Sequence, residues 1–263
     1  MEFTLGLAQT CHPEDGDVVA LVDKMAARAV ERGVDLLVFP ESLMTSYELP
    51  VDQFIASAEP LDGPFARSLC QIAAKHGLWM VFTLNERAQN GGNPYNTAVV
   101  AAADGSVAGS YRKVHLFDTS FTAESQKMQA GDALFQPVRT PFCTLGLGIC
   151  YDLRFPEVAR FAAVNGADLM VYPAAWVAGE MKALQWKTLL AARAIENEFF
   201  VAGLSRADAP RYIGQSCVFG PLGETLASSG PYQDLLVCRI DTDRIAATRA
   251  NMPVLDHRRP ELY

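Results

Sequence analysis

Short apolar runs that alternate with amphipathic segments constrain the fold of this chain more than any other feature of its sequence. In the first half, strands are predicted over residues 4–8, 35–39 and 79–84, and helices over residues 18–32 and 65–76. The turns A-D-G and P-L-G, further along, each separate two strand-like runs and predict hairpins. Strands that first alternate with helices and then pair as hairpins indicate an α/β fold, in which mixed sheets carry helices on their outer faces. An even number of such strands allows two sheets to stack face to face.

A strand, a turn and a helix follow one another around Cys150. The run C-T-L-G-L-G-I at residues 143–149 predicts a buried strand, and Pro156 suits the first turn of a helix that extends to residue 164. Cys150 is therefore expected at the end of a strand, where ligands and nucleophiles of open α/β sheets collect. The alternative is that Cys150 is a small buried hydrophobic residue, as unpaired cysteines in apolar strands commonly are.

Composition excludes several classes of protein. The chain has 263 residues, half of them hydrophobic, which is enough for one domain over residues 1–263 with a sizeable core. No apolar run approaches the roughly 20 residues that a membrane-spanning helix needs, and the first residues do not have the pattern of a signal peptide. Because the net charge is −8 and Lys and Arg form no cluster, nucleic acid and anionic membranes are not expected as partners.

Cysteine and histidine usage gives no metal or disulfide pattern. The six cysteines are scattered, without a C-x-x-C pair, and the four histidines form no H-E-x-x-H or similar ligand pair. The simplest interpretation is a reduced, metal-free protein of the cytoplasm.

Three polar residues follow predicted strands or lie at their ends: Glu41, Lys113 and Cys150. A thiol with a pKa of about 8.5 is mostly protonated at neutral pH and needs a base or a cation to become a nucleophile. A half-buried carboxylate can take the proton, and an ammonium can stabilise the charges that result. The same ammonium, together with the backbone N–H of Tyr151, can hold the oxyanion of a tetrahedral intermediate. The alternatives are a helix cap or a buried salt bridge for Glu41, and a solvated edge residue for Lys113.

Several motifs carry a resemblance to a known family. They are F-P-E at 39–41, Y-R-K-V-H-L-F at 111–117, G-I-C-Y-D-L-R-F-P-E at 148–157, A-A-R-A-I-E-N at 191–197 and R-R-P-E-L-Y at 258–263. In this order and at this spacing the chain resembles the nitrilase, or carbon–nitrogen hydrolase, family over nearly its whole length. One departure is Gln215, which stands where relatives often have histidine and removes any titration near neutral pH at that position.

The resemblance implies a fold, a set of site residues and a reaction. The fold is an α-β-β-α sandwich, with two mixed sheets flanked by helices. Glu41 is implied as the general base, Lys113 as the stabiliser of the oxyanion, Cys150 as the nucleophile, and Glu124 as a second glutamate that orients Lys113 or the leaving group. The reaction is hydrolysis of a C–N bond through a thioester, without a cofactor, in a homodimer.

The motifs around Cys150 resemble those of omega-amidases and deaminated-glutathione amidases in particular. This predicts a small amide that carries a carboxylate, such as the ω-amide of a 2-oxo acid. Arg154 is the candidate for binding that carboxylate, because its planar guanidinium can bind it bidentately; the alternative is a salt bridge to Asp152 or Glu157. Trp176 is predicted to wall the pocket, with an ordinary core position as the alternative.

Other interpretations stay open on the sequence alone. His115 lies two residues after Lys113, so both point to one face if the strand continues, and a Cys150–His115 dyad is then conceivable. A nitrilase or an N-carbamoyl amidase uses the same three residues. A catalytically silent scaffold subunit is the non-enzymatic alternative, although all the required residue types are present. A thiol redox protein is disfavoured, because no resolving cysteine pairs with Cys150 in sequence.

Overall fold

The computed structural model describes residues 1–262, which form two six-stranded mixed sheets with helices on their outer faces. The strands are β1 (Glu2–Gln9), β2 (Leu36–Val38), β3 (Trp79–Glu86), β4 (Tyr95–Ala101), β5 (Val107–Arg112), β6 (Val138–Arg139), β7 (Thr144–Leu147), β8 (Leu169–Ala174), β9 (Phe200–Ser205), β10 (Cys217–Phe219), β11 (Thr225–Ser228) and β12 (Asp234–Asp241). The helices are α1 (Val18–Glu31), α2 (Val51–Ala56), α3 (Pro64–His76), α4 (Pro156–Val164), α5 (Lys182–Asn197) and α6 (Asp243–Asn251).

The two sheets share one pairing pattern. The first has the order β12-β1-β2-β3-β4-β5 and the second the order β6-β7-β8-β9-β10-β11. In each sheet, the three central strands are parallel. One strand pairs antiparallel with them on one side, and on the other side two further strands follow, each antiparallel to its neighbour. No repeat is visible in the sequence, because this pattern depends on which positions are apolar and not on which apolar residue fills them.

Alternation along the strands explains the layers. Leu5 and Leu7 of β1 lie in the same apolar cluster as Leu145 of β7 and Val171 of β8, so the sheets pack face to face. Residues from α1, α3 and the opposite face of the first sheet form a second cluster. The helices α4 and α5 contribute to the first cluster from the outer face of the second sheet. The predicted α-β-β-α sandwich is confirmed.

Three elements have no clear pattern in the sequence, and each has a physical reason. α2 has only six residues and β6 only two, which is too short for a periodic pattern. α6 buries a single apolar residue, Ile245, and therefore has almost no apolar stripe. Among residues 1–262, no helix combines the length and the apolar character needed to cross a membrane.

Candidate active site

Strand ends bring the three predicted catalytic residues together. Glu41 follows β2, Lys113 follows β5 of the same sheet, and Cys150 follows β7 of the facing sheet. Glu41 and Lys113 are each 1% exposed and Cys150 is 9% exposed. All three line one cavity, together with Glu124. The structure therefore brings together the four residues for which the sequence predicts a common site.

A buried ion cluster lies at the centre of this site. Lys113 Nζ is 2.9 Å from Glu41 Oε1 and 2.8 Å from Glu124 Oε2. Burial by itself lowers the pKa of Lys113, but the carboxylates of Glu124 and Glu41 outweigh it and raise that pKa well above its usual value. Lys113 is therefore a buried, permanently charged ammonium between two carboxylates. Its alternative as a solvated edge residue is wrong.

Two residues that the sequence analysis missed complete the cluster. Asn96 Nδ2, at the start of β4, donates to Glu41 Oε1 at 2.7 Å and lies 2.9 Å from the Tyr47 hydroxyl. Tyr47 donates to Glu124 Oε1 at 3.1 Å. Burial first, and then the two carboxylates, raise the pKa of Tyr47 well above its usual value, so it remains a donor. The pattern of β4 gave no hint, because a polar residue at a strand end is ordinary.

Backbone groups fix the two carboxylates from the other side. The N–H of Ala175, directly after β8, donates to Glu41 Oε2 at 2.8 Å. The N–H of Phe117 donates to Glu124 Oε2 at 2.7 Å. Each carboxylate is thus held by one ammonium and one backbone N–H, which fixes its orientation and offsets the cost of burying its charge.

Cys150 occupies a sharp, constrained turn. Its φ is +47°, in the left-handed region that side chains other than glycine rarely adopt, and it begins a 3₁₀ turn over Cys150–Arg154. The turn is anchored at both ends: Asp152 Oδ2 accepts from the N–H of Ile149 at 2.8 Å, and Arg193 donates to the carbonyl of Leu153. The local geometry therefore presents the Cys150 thiol to the cavity from a fixed backbone.

The surroundings of Cys150 favour its neutral thiol. Burial first, and then the negative charge of Glu41, raise the pKa of Cys150 well above its usual value, and the ammonium of Lys113 only partly opposes them. Glu41 lines the same cavity as the thiol. The thiol is thus protonated in the resting state, and nucleophilic attack requires transfer of its proton to a base.

We expect the ultraviolet thiolate signal of Cys150 to show no transition below about pH 9, where an unperturbed thiol is already half ionised. The measurement is the difference in absorbance near 240 nm between the wild type and Cys150→Ala across a pH titration. A Cys150-dependent transition below about pH 9 would contradict this assignment, since it would mean that the surroundings do not raise the pKa of the thiol.

The cavity in front of Cys150 has a volume of about 340 Å³ and opens to solvent. Glu41, Lys113 and Cys150 line it, and Phe117, Phe121 and Tyr212 contribute aromatic side chains. This volume lies at the lower end of the range for small-molecule sites. A narrower recess of about 20 Å³ adjoins it and shares Cys150 and Phe117 with the cavity.

A comparison with protein families decides the identity of this arrangement. The model of the carbon–nitrogen hydrolase family matches residues 4–250. The chain belongs to the carbon–nitrogen hydrolase family. The resemblance drawn from the motifs around Glu41, Lys113 and Cys150 is thereby confirmed.

Individual relatives within the family include amidases. This hydrolase is 33% identical over 235 residues to the deaminated glutathione amidase of Escherichia coli O157:H7, with 89% of this chain and 88% of that protein covered. It is 34% identical over 245 residues to the omega-amidase of Homo sapiens, with 89% and 87% covered.

Solved structures of carbon–nitrogen hydrolases share the fold. A carbon–nitrogen hydrolase from Helicobacter pylori G27 superposes with a TM-score of 0.93 at 28% identity, covering 100% of this chain and 97% of that one. A mutant of an amidase from Nesterenkonia sp. AN1 superposes with a TM-score of 0.79 at 28% identity, covering 100% and 95%. In that mutant, the acetamide moiety of fluoroacetamide is covalently attached to the active-site cysteine.

Arg154, Tyr151 and Trp176 line the recess of this hydrolase beside Cys150. The guanidinium of Arg154 lies 4.9 Å from the ring centre of Trp176 and donates to Gln185 Oε1 at 2.8 Å. Within residues 1–262, Arg154 forms no ion pair with Asp152 or Glu157, so that alternative is wrong. Trp176 is 4% exposed; it lines the recess and also belongs to the apolar cluster between the sheets.

His115 contacts Asp152, whereas a Cys150–His115 dyad would require contact with the thiol of Cys150. Its Nδ1 lies 2.8 Å from Asp152 Oδ1, and its ring stacks on Phe155 with 3.6 Å between ring centres. It does not line the cavity of about 340 Å³. The premise that Lys113 and His115 share a strand face is wrong, because β5 ends at Arg112, one residue before Lys113.

Metal-binding residues do not gather in the described part of the chain. No group of three or more His, Cys, Asp or Glu side chains within residues 1–262 has the arrangement of a metal site. At the catalytic cluster, Lys113 Nζ occupies the position between Glu41 and Glu124 that a cation would need. The six cysteines are free thiols.

Proposed function

We propose that this carbon–nitrogen hydrolase is an amidase that hydrolyses the amide of a small, carboxylate-bearing substrate to a carboxylic acid and ammonia or an amine. The observation that carries the proposal is the single cavity lined by the Cys150 thiol, the Glu41 carboxylate and the Lys113 ammonium. These groups are a nucleophile, a base beside it and a fixed positive charge, which acyl transfer from an amide requires.

Acylation begins when Cys150 Sγ attacks the carbonyl carbon of the amide. As the S–C bond forms, the thiol proton moves to Glu41 and the π electrons of the carbonyl move onto its oxygen. The N–H of Tyr151 and the ammonium of Lys113 donate to this oxyanion; N–H groups at the start of a helical turn have no partner within the turn. When the C–N bond breaks, Glu41 returns the proton to the leaving nitrogen and a thioester remains.

Deacylation consumes one water molecule. Glu41 takes a proton from the water as its oxygen attacks the thioester carbon, and the C–S bond then breaks. The sulfur leaves as a thiolate and recovers the proton from Glu41, so the thiol is restored. Glu124 holds Lys113 in place through both steps without changing its own charge.

The preference for a carboxylate-bearing substrate is supported by the recess beside Cys150. Arg154 points a guanidinium into it, and its hydrogen-bond partner there is the neutral Gln185. An acidic protein needs such a specific cation to bind an anionic substrate. The names of the omega-amidase and deaminated glutathione amidase relatives agree with this substrate class.

The test is release of ammonia or amine from a panel of compounds by the purified protein. The panel contains 2-oxoglutaramate, 2-oxosuccinamate, succinamate, deaminated glutathione, an N-carbamoyl amine and an aliphatic nitrile, with Cys150→Ala as the blank. We expect release from the carboxylate-bearing amides at a rate that is lost in the Cys150→Ala variant.

The other outcomes separate the alternatives. Release from the nitrile or the N-carbamoyl amine alone would contradict the substrate class while keeping the nucleophile. Equal release by the wild type and Cys150→Ala would contradict the role of Cys150. No release from any compound would favour a scaffold subunit.

A further inference from the structure

Lys182 is a second cation at the recess, and the catalytic steps above do not use it. It is the first residue of α5, and it lines the recess of about 20 Å³ together with Arg154 and Cys150. Its ammonium lies 5.4 Å from the ring centre of Phe117, which also borders the main cavity. Lys182 therefore stands at the junction between the recess and the cavity.

Neither cation of the recess is neutralised by the protein. Within the described residues, Lys182 and Arg154 form no ion pair with any Asp or Glu side chain. The backbone carbonyl of Lys182 accepts from Trp176 Nε1 at 3.1 Å, which fixes the start of α5 against the wall of the recess. Both cations are half-buried, so their charges are only partly screened by solvent.

The position of Lys182 is electrostatically unfavourable without an anion. The N-terminus of a helix is a region of positive potential that stabilises anions, yet α5 begins with a lysine and has no acidic residue in its first turn. Partial burial first, and then the nearby charge of Arg154, lower the pKa of the Lys182 ammonium. Two like charges thus line one small recess, and a bound anion would relieve their repulsion.

We infer that Lys182 is a specificity-determining residue that binds, together with Arg154, the carboxylate of the acyl part of the substrate. This inference rests on the proposed amidase function. The recess admits only a small group: a volume of about 10–15 Å³ holds one water molecule, so about 20 Å³ admits a carboxylate oxygen and excludes a bulky substituent. It also lies away from the leaving group: Glu41, which returns the proton to the leaving nitrogen, lines the main cavity and not the recess.

The inference narrows the substrate class. Because the recess borders Cys150 itself, a carboxylate bound there is separated from the scissile carbonyl by a short chain of a few carbon atoms. The substrate is therefore the monoamide of a short dicarboxylic acid, and any larger substituent belongs to the leaving amine, which faces the cavity of about 340 Å³.

The test compares two amides of four carbon atoms. Succinamate ends in a carboxylate, and butyramide ends in a methyl group. We expect Lys182→Met to lower the ratio of kcat/KM for succinamate over butyramide about tenfold, mainly through KM for succinamate, as for loss of one charge-assisted hydrogen bond. Lys182→Arg retains most of the ratio because it keeps the charge. Lys187→Met, on the exposed side of the same helix, is the matched control and keeps the wild-type ratio.

A binding measurement separates this inference from the proposed function. We expect succinate to bind Cys150→Ala with a Kd about tenfold lower than it binds the Cys150→Ala/Lys182→Met double variant, measured by calorimetry. Equal Kd values, or an unchanged kcat/KM ratio in Lys182→Met, would overturn the inference. If the wild type releases ammonia from no amide of the panel above, the proposed function fails, while the succinate titration still decides the role of Lys182.

Discussion

Replacing Lys113 with methionine is expected to lower amide turnover at least about 10³-fold and to reduce the free energy of unfolding by about 3–5 kcal/mol. The loss of turnover follows because the oxyanion loses its charged donor. The loss of stability follows because Glu41 and Glu124 then share a buried site without the ammonium that lies 2.9 and 2.8 Å from them. Asn96 and Tyr47 still donate to these carboxylates, but neutral donors do not compensate two buried charges.

Chemical denaturation and steady-state kinetics measure the two effects separately. The double variant Lys113→Met/Glu124→Gln removes one of the uncompensated charges, so we expect it to recover part of the lost stability but none of the lost turnover. Lys75→Met, which breaks the ion pair of an exposed lysine with Asp23, is the matched control and changes stability little. An unchanged stability of Lys113→Met would contradict a charged cluster at this site.

The candidate site residues could be proposed from the sequence because they follow strands. Apolar runs locate strands reliably, and both Glu41 and Cys150 come within three residues of a strand end, at the edge where parallel strands deliver polar groups. The family motifs then related these positions to each other. The local pattern left a helix cap or a buried salt bridge open for Glu41. The structure has the salt bridge, and its partner Lys113 lies 72 residues away in the chain.

The sequence did not predict contacts that depend on how separate elements meet. In the sequence, Asn96 is an ordinary polar residue of a predicted hairpin strand. Its contact with Glu41 arises only because β4 packs beside the loop after β2. The error at His115 came from one residue: β5 ends at Arg112, so the side-chain alternation of a strand no longer applies at Lys113. Arg154 donates a hydrogen bond to Gln185, 31 residues later, because α5 packs against the turn that begins at Cys150.

Glu41→Gln is expected to lower kcat roughly 10³-fold while the protein stays folded, which separates the role of the base from that of the ion cluster. Glutamine keeps the shape of glutamate, and its side-chain oxygen still accepts from the N–H of Ala175, now 2.8 Å from Glu41 Oε2. Lys113 keeps its bond to Glu124, so one buried ion pair survives and stability changes far less than in Lys113→Met. The lost function is proton transfer, because an amide cannot take the proton of Cys150.

The control for this variant is Glu86→Gln. Glu86 is also a buried carboxylate of the first sheet, held by Arg112 and Thr97, but it does not line the cavity. We expect the Glu86→Gln variant to lose stability and to keep its turnover, whereas Glu41→Gln loses turnover and keeps most of its stability. If the two variants lost turnover to the same degree, general disruption of the sheet would explain both, and Glu41 would no longer be assigned as the base. If Glu41→Gln retained turnover, the proton of Cys150 would have to move to another group, and Glu124 is the remaining carboxylate that lines the cavity.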